Sequence, residues 1–224
     1  IAEPIQGVGG FAIPPDGFFG DIHKVLANNG ILFVSDEVQT GWGRTGEHMW
    51  GYQAHGITPD LMTFAKGVGN GLALGGVVGR AELIDAMPAN SISTFGGNPL
   101  SSAGALATLR YLLDHDLQTN ALVTGRQLRE RLEAMAAGVD WIAEVRGKGL
   151  MQAVETVRPG GISPAPELAA ELHEKCKQRG LLIGKGGLYG NVLRIAPPLT
   201  VTASEVDVAA DIIAAAIADM DGAH

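Results

Sequence analysis

The chain reads as an α/β protein followed by a smaller α+β domain, and three features of the sequence lead there. Short apolar runs end in charged residues and glycine-rich loops, helical stretches separate those runs, and past residue 115 the pattern turns to short strands interrupted by isolated amphipathic helices. The expected division is a first domain over 1–115, ending in a connecting helix, and a second over 116–224. A length of 224 residues suits one large domain plus a small one.

The elements follow in order. The start Ile1-Ala2-Glu3-Pro4 lacks a methionine and resembles the end of a strand already under way, so the chain is expected to be truncated. Residues 31–35 are apolar up to Ser35 and run into Asp36 and Glu37, which fits a buried parallel strand with acids at its carboxyl end. Residues 60–66 repeat the form: Leu61 to Ala65 are nearly all apolar, and Lys66 opens a loop with Gly67, Gly69 and Gly71. A third strand is expected over 74–78, and helices over 23–28 and 47–55 separate the strands. After Pro99, the spacing of Ala105, Leu106, Leu109, Leu112 and Leu113 predicts a long helix. The second domain should hold helices over 120–135, 166–178 and 203–218, with strands over 142–146, 150–155, 181–184 and 192–196.

Composition bounds the function. With 46% hydrophobic and 18% charged residues, the chain has a core to bury and is not disordered. A net charge of -8, with no run of Lys or Arg, argues against nucleic acid or an anionic membrane as partner. No apolar stretch has the length of a membrane span and no signal peptide opens the chain, so a cytoplasmic setting is the expectation. The single cysteine, Cys176, shares helical spacing with Leu168 and Leu172 and is read as a packing residue. His23, His48, His55, His115, His173 and His224 lack ligand spacing, so no metal is expected.

The chemistry is sought at the strand ends, because sites in open α/β sheets gather beyond the carboxyl ends of strands. Taken alone, Asp36-Glu37 also suits a helix N-cap or a surface ion pair, and Lys66 a solvated loop lysine. Together they supply what pyridoxal phosphate needs: an amine for a Schiff base and a carboxylate to keep the pyridine nitrogen protonated. A buried Lys66 would also have a depressed pKa and so be a usable nucleophile.

The stretch Ser35-Asp36-Glu37-Val38-Gln39-Thr40-Gly41-Trp42-Gly43-Arg44-Thr45-Gly46, with Thr63-Phe64-Ala65-Lys66-Gly67 after it, resembles the signature of class III, fold type I aminotransferases. Glu3-Pro4-Ile5-Gln6-Gly7, Ser93-Thr94-Phe95-Gly96-Gly97-Asn98-Pro99 and Leu193-Arg194-Ile195-Ala196-Pro197-Pro198-Leu199 continue the match in family order. The resemblance implies the C-terminal part of a large cofactor domain, a mostly parallel sheet with helices on both faces, followed by the small domain. It implies transamination between an amino acid, or an ω-amino acid, and a 2-oxo acid through a pyridoxal 5'-phosphate aldimine on Lys66, which then shuttles the proton. Asp36 would pair with the pyridinium nitrogen, Val38 pack on the ring, and Gln39 bond near the ring hydroxyl. Thr94 would reach the cofactor phosphate of a neighbouring subunit in a homodimer or homotetramer, and Arg194 would grip the substrate carboxylate. As half of an enzyme, the chain is expected to be inactive alone.

Val8 departs from the many ω-amino acid members that carry glutamate there. The 184–191 segment is closer to alanine–glyoxylate-type members, although Lys185 by composition is a solvated turn residue. A lyase, decarboxylase or racemase on the same scaffold is the rival, since the bond broken depends on substrate orientation. Gly7-Val8-Gly9-Gly10-Phe11-Ala12 loosely matches a dinucleotide fingerprint, but Pro4 before it and Pro14-Pro15 after it exclude a Rossmann turn.

Overall fold

The computed structural model describes residues 1–15 and 17–221. The chain separates into two compact units, one of Ile1–Ile5, Pro14–Gly43 and Glu47–Gln118, the other of Gln6–Ile13, Arg44–Gly46 and Thr119–His224. Among the described residues, no helix is long and apolar enough to cross a membrane.

In the first unit, helix α1 (Phe18–Asn28) buries Phe19 against Phe33 and His55, with ring centroids 5.8 and 5.0 Å away. Three strands, β1 (Val34–Asp36), β2 (Leu61–Phe64) and β3 (Gly76–Gly79), form a sheet in chain order. β1 and β2 are parallel, with Asp36 opposite Thr63; β3 is antiparallel to β2. On the free side of β1, Ala2 makes a parallel bridge to Ser35. β1 is shorter than the apolar run predicts. The Phe33 N–H donates to Asp60 Oδ2 at 2.8 Å, and Ile31 and Leu32 are exposed. That bond, with help from Arg80, holds the Asp60 carboxyl below its usual range.

The helix expected over 47–55 is a single 3-10 turn, Gly51–His55. Side chains take the amides a helix would need: Trp50 N–H donates to Gln53, and those of Gly51 and Tyr52 donate to Glu37. Lys66 likewise opens a 3-10 turn, Lys66–Val68. A short helix α2 (Ala81–Ile84) follows β3. α3 (Pro99–Asp114) starts where a Pro at the first position and an Asn98 cap on the Ser101 N–H predict it. It buries Ala105 and Leu112, whereas Leu106 and Leu113 are exposed.

The second unit is an antiparallel sheet of order β4-β5-β7-β6, made of β4 (Ile142–Lys148), β5 (Met151–Thr156), β6 (Gly184–Gly186) and β7 (Val192–Ile195). One face packs on helices α4 (Leu117–Ala136), α5 (Pro166–Gln178) and α6 (Ala203–Asp221) through Leu128, Leu132, Val154, Leu172, Leu193 and Ile213. Each such side chain contributes about 1.5–3 kcal/mol when fully buried. β6 begins later than expected because the Leu181 N–H closes α5 on the Cys176 carbonyl, and Leu181 and Ile183 pack on the core instead. Where Gly125 of α4 meets Gly149, an added Cβ would lie 2.2 Å from the Gly149 oxygen, so the helix approaches only as bare backbone. Gly149 in turn presses on Thr45, and Leu150 N–H donates to the Arg44 carbonyl. The Arg44 guanidinium donates to the Pro197 carbonyl, and burial pushes its pKa down to about 10.

Candidate active site

Parallel pairing sends β1 and β2 out of the sheet at the same end, so Asp36 and, three residues past its partner Thr63, Lys66 lie at neighbouring strand ends. Asp36 is half-buried. Its Oδ1 accepts from the Val38 N–H and the Thr63 hydroxyl, both at 3.2 Å, while Oδ2 has no partner among the described residues. Lys66 holds a left-handed backbone with φ of 44°, unusual for a residue with a side chain. The expected burial is absent, because the side chain is exposed in this chain; among the described residues it makes no ion pair or hydrogen bond.

The acid left without a role by the sequence, Glu37, is the one fully buried. Its Oε1 accepts from Ser35 Oγ at 3.0 Å and Tyr52 N at 2.8 Å; its Oε2 accepts from the Thr40 hydroxyl and from Gly51 N at 2.7 Å. Four donors satisfy the carboxylate and tie the 37–52 loop to the strand end. Ser35 and Thr40, hydroxyls two residues before and three after Glu37, were the available signal. The loop carries Val38 and Gln39, both half-buried, and the Gln39 amide is without a hydrogen bond among the described residues. Trp42, with φ of 63°, packs on Trp50 and Phe64 at 4.5 and 5.3 Å, and its buried Nε1 has no acceptor among the described residues. An added Cβ on Gly67 would sit 3.9 Å from Trp42 Cδ1, so the indole flanks the Lys66 turn.

Thr94 lies exposed in a stretch without regular structure before α3, and no hydrogen bond joins it to Asp36 or Lys66. In the second unit, Arg194 of β7 lies on the sheet face away from the helices. It donates through Nη1 to the Gly7 carbonyl at 2.8 Å, its Cζ sits 5.3 Å from the Phe11 ring centroid, and its buried Nε has no partner among the described residues. Val8 is exposed, as are Lys185, Leu188 and Tyr189. Cys176 is wholly buried, and burial pushes its thiol up to about 11, which makes it a packing residue. Among the described residues no group of three or more His, Cys, Asp or Glu could hold a metal; His224 lies outside them.

Residues 1–217 match the family model for class III aminotransferases. The chain belongs to this family. It is 41% identical to an alanine/serine racemase of Pyrococcus horikoshii over 98% of this chain and 46% of that protein. It is 42% identical to the mitochondrial alanine–glyoxylate aminotransferase 2 homolog 2 of Arabidopsis thaliana, over 92% of this chain and 44% of that protein. A phospholyase from Arthrobacter, solved with phosphoethanolamine, superposes with a TM-score of 0.92 at 37% identity, over 96% of this chain and 52% of that one. The chain therefore spans about half the length of the relatives it matches.

Class III aminotransferases use pyridoxal phosphate, and the residues present fit it. Among the described residues, Asp36 keeps one carboxylate oxygen uncommitted, and Lys66 has an amine with no competing partner at the next strand end. Val38 and Gln39 stand on the loop between those ends.

Proposed function

We propose that the protein containing this chain moves amino groups between an amino acid and a 2-oxo acid with pyridoxal phosphate. One observation carries the proposal: in a class III aminotransferase sequence, Asp36 and Lys66 leave adjacent parallel strands at the same end, each with a polar atom uncommitted. When bound, the cofactor supplies a ring that takes up the electrons left as the substrate α-carbon loses its proton. Asp36, an acceptor-only group, holds the proton on the ring nitrogen. Lys66 would hold the cofactor through its amine and, with that amine free, would move the proton at the substrate α-carbon. Val38 would pack on the ring, Gln39 would hydrogen-bond near the ring hydroxyl, and Thr94 would serve the phosphate of a neighbouring subunit in a homodimer or homotetramer. Arg194 binds the substrate carboxylate. Its uncommitted nitrogens, Nε and Nη2, form one edge of the guanidinium, the fork that takes a carboxylate side-on. Val8 in place of an acid near Arg194 favours α-amino acids such as alanine, with glyoxylate or pyruvate as acceptor.

A second reading, racemisation or elimination on the same residues, is favoured by the names of two relatives, the alanine/serine racemase and the phospholyase. Incubating the full-length protein with 15N-L-alanine and glyoxylate, and separately with phosphoethanolamine, separates the three. Transfer of label to glycine supports transamination. D-alanine without transfer would replace it with racemisation, and phosphate release from phosphoethanolamine without transfer would replace it with elimination.

A further inference from the structure

Phe11 is 2% exposed and has φ of 54°, a left-handed backbone that a bulky aromatic residue adopts only where its surroundings impose it. The surroundings here are a closed loop lying on the polar face of the second unit's sheet. Gln6 N–H donates to the Ala12 carbonyl at 3.0 Å and shuts the loop. The Val8 carbonyl accepts from Gly187 N at 3.0 Å, and the Gly10 carbonyl from Arg146 Nε at 2.9 Å. These bonds hold the loop against β4 and the turn after β6, with Phe11 between them.

What the strain achieves is the position of the ring. The Phe11 ring lies under the Arg194 guanidinium, 5.3 Å from Cζ, and the Gly7 carbonyl of the same loop takes Arg194 Nη1 at 2.8 Å. On the opposite strand, a Cβ added to Gly186 would come within 2.9 Å of Arg194 Cδ, so the arginine stem rests on bare backbone. Ring, carbonyl and stem hold the guanidinium plane, and the edge without a partner among the described residues is Nε and Nη2. An aromatic face favours a cation above it without consuming an N–H donor, so it can orient the fork and leave it available.

We infer that Phe11 is a positioning residue for Arg194, holding the guanidinium so that its Nε/Nη2 edge meets a substrate carboxylate. The inference rests on the proposed role of Arg194 as the carboxylate site. Replacing the aromatic face removes this hold but not the fork, so carboxylate affinity falls and chemistry on substrates lacking a carboxylate does not.

The test uses the full-length holoenzyme and propionate as probe, with propionamide as the neutral control, titrated by calorimetry. Phe11→Leu is expected to raise the propionate Kd about fivefold and to leave the single-turnover half-reaction with 1-phenylethylamine, run without a 2-oxo acid, within about twofold. Phe11→Tyr, which keeps the ring face, should stay within about twofold of the parent in both measurements. Pentafluorophenylalanine at the same position keeps ring shape and reverses the charge of its face, so it should weaken propionate binding even if Phe11→Leu fails to fold. An unchanged propionate Kd with the fluorinated ring, or a tyrosine variant as impaired as the leucine one, would show that Phe11 only fills volume. Unaltered propionate binding in Arg194→Lys would instead overturn the carboxylate role of Arg194 and this inference with it. Weakening in Arg194→Lys with none in the Phe11 variants would overturn the inference alone.

Discussion

Glu37→Gln tests whether the buried carboxylate, and not only the apolar strand, fixes the loop that presents Val38 and Gln39. Each Glu37 oxygen accepts one hydroxyl and one backbone N–H: Ser35 and Tyr52 on one side, Thr40 and Gly51 on the other. Glutamine turns one oxygen into an NH2 group. The facing hydroxyl can rotate and accept from it, but the facing backbone N–H cannot and is left buried without a partner. An orphaned donor of that kind costs about 1–3 kcal/mol, and the remaining bonds lose the strength that the charge gave them. The expected destabilisation is therefore about 2–4 kcal/mol. Urea unfolding of the full-length protein, followed by tryptophan fluorescence, reads it, since Trp42 and Trp50 pack on each other beside this loop. A change below about 0.5 kcal/mol, typical of a surface substitution, would refute the assignment of Glu37 as the loop anchor.

Other expected outcomes address the chemistry and the core. Asp36→Asn should retain the fold but slow proton removal from the substrate by about 100-fold or more, measured by single-turnover absorbance, because an amide holds a ring-nitrogen proton far less well. Arg194→Lys should raise the KM for α-amino acids about 10- to 100-fold with a smaller change in kcat, since a point charge cannot reproduce a two-pronged contact; an unchanged KM would place the carboxylate elsewhere. Cys176 should resist iodoacetamide in the folded protein at pH 8, where its thiol, pushed up to about 11, is protonated and sealed in the core. The folded state then holds that proton more tightly than the unfolded state, so the Cys176 contribution to stability is full below the ordinary thiol pKa of 9.0 and is lost as pH rises towards about 11. Denaturation midpoints of wild type and Cys176→Ala across that range check the sign.

What could be read from the sequence was what depends on local pattern. The Asn98-Pro99 start of α3 and the amphipathic spacing of α6 each declare their structure within a few residues. The placement of Asp36 and Lys66 at strand ends was legible from a charge closing an apolar run. Long-range bonds were not legible. The 47–55 stretch has helical spacing, but Glu37, more than ten residues away, takes two of its amides. The 181–184 run looks like a strand until the Leu181 N–H is spent on closing α5. The association of residues 6–13 with β4 and β7 rests on Arg146 and Arg194 reaching across 136 and 187 residues. No periodicity encodes such a contact. Phe11 escaped notice because its backbone strain and its arginine partner exist only in three dimensions.

The most direct test of Lys66 as the cofactor-bearing residue is covalent. The full-length protein is loaded with pyridoxal phosphate and reduced with borohydride, which makes a carbon–nitrogen bond to the lysine permanent, and the phosphopyridoxyl group is located by peptide mass spectrometry. Stoichiometric label on Lys66, absent from the Lys66→Ala variant, is the predicted result. Label on Lys185 or another lysine, with Lys66 unmodified, would contradict it.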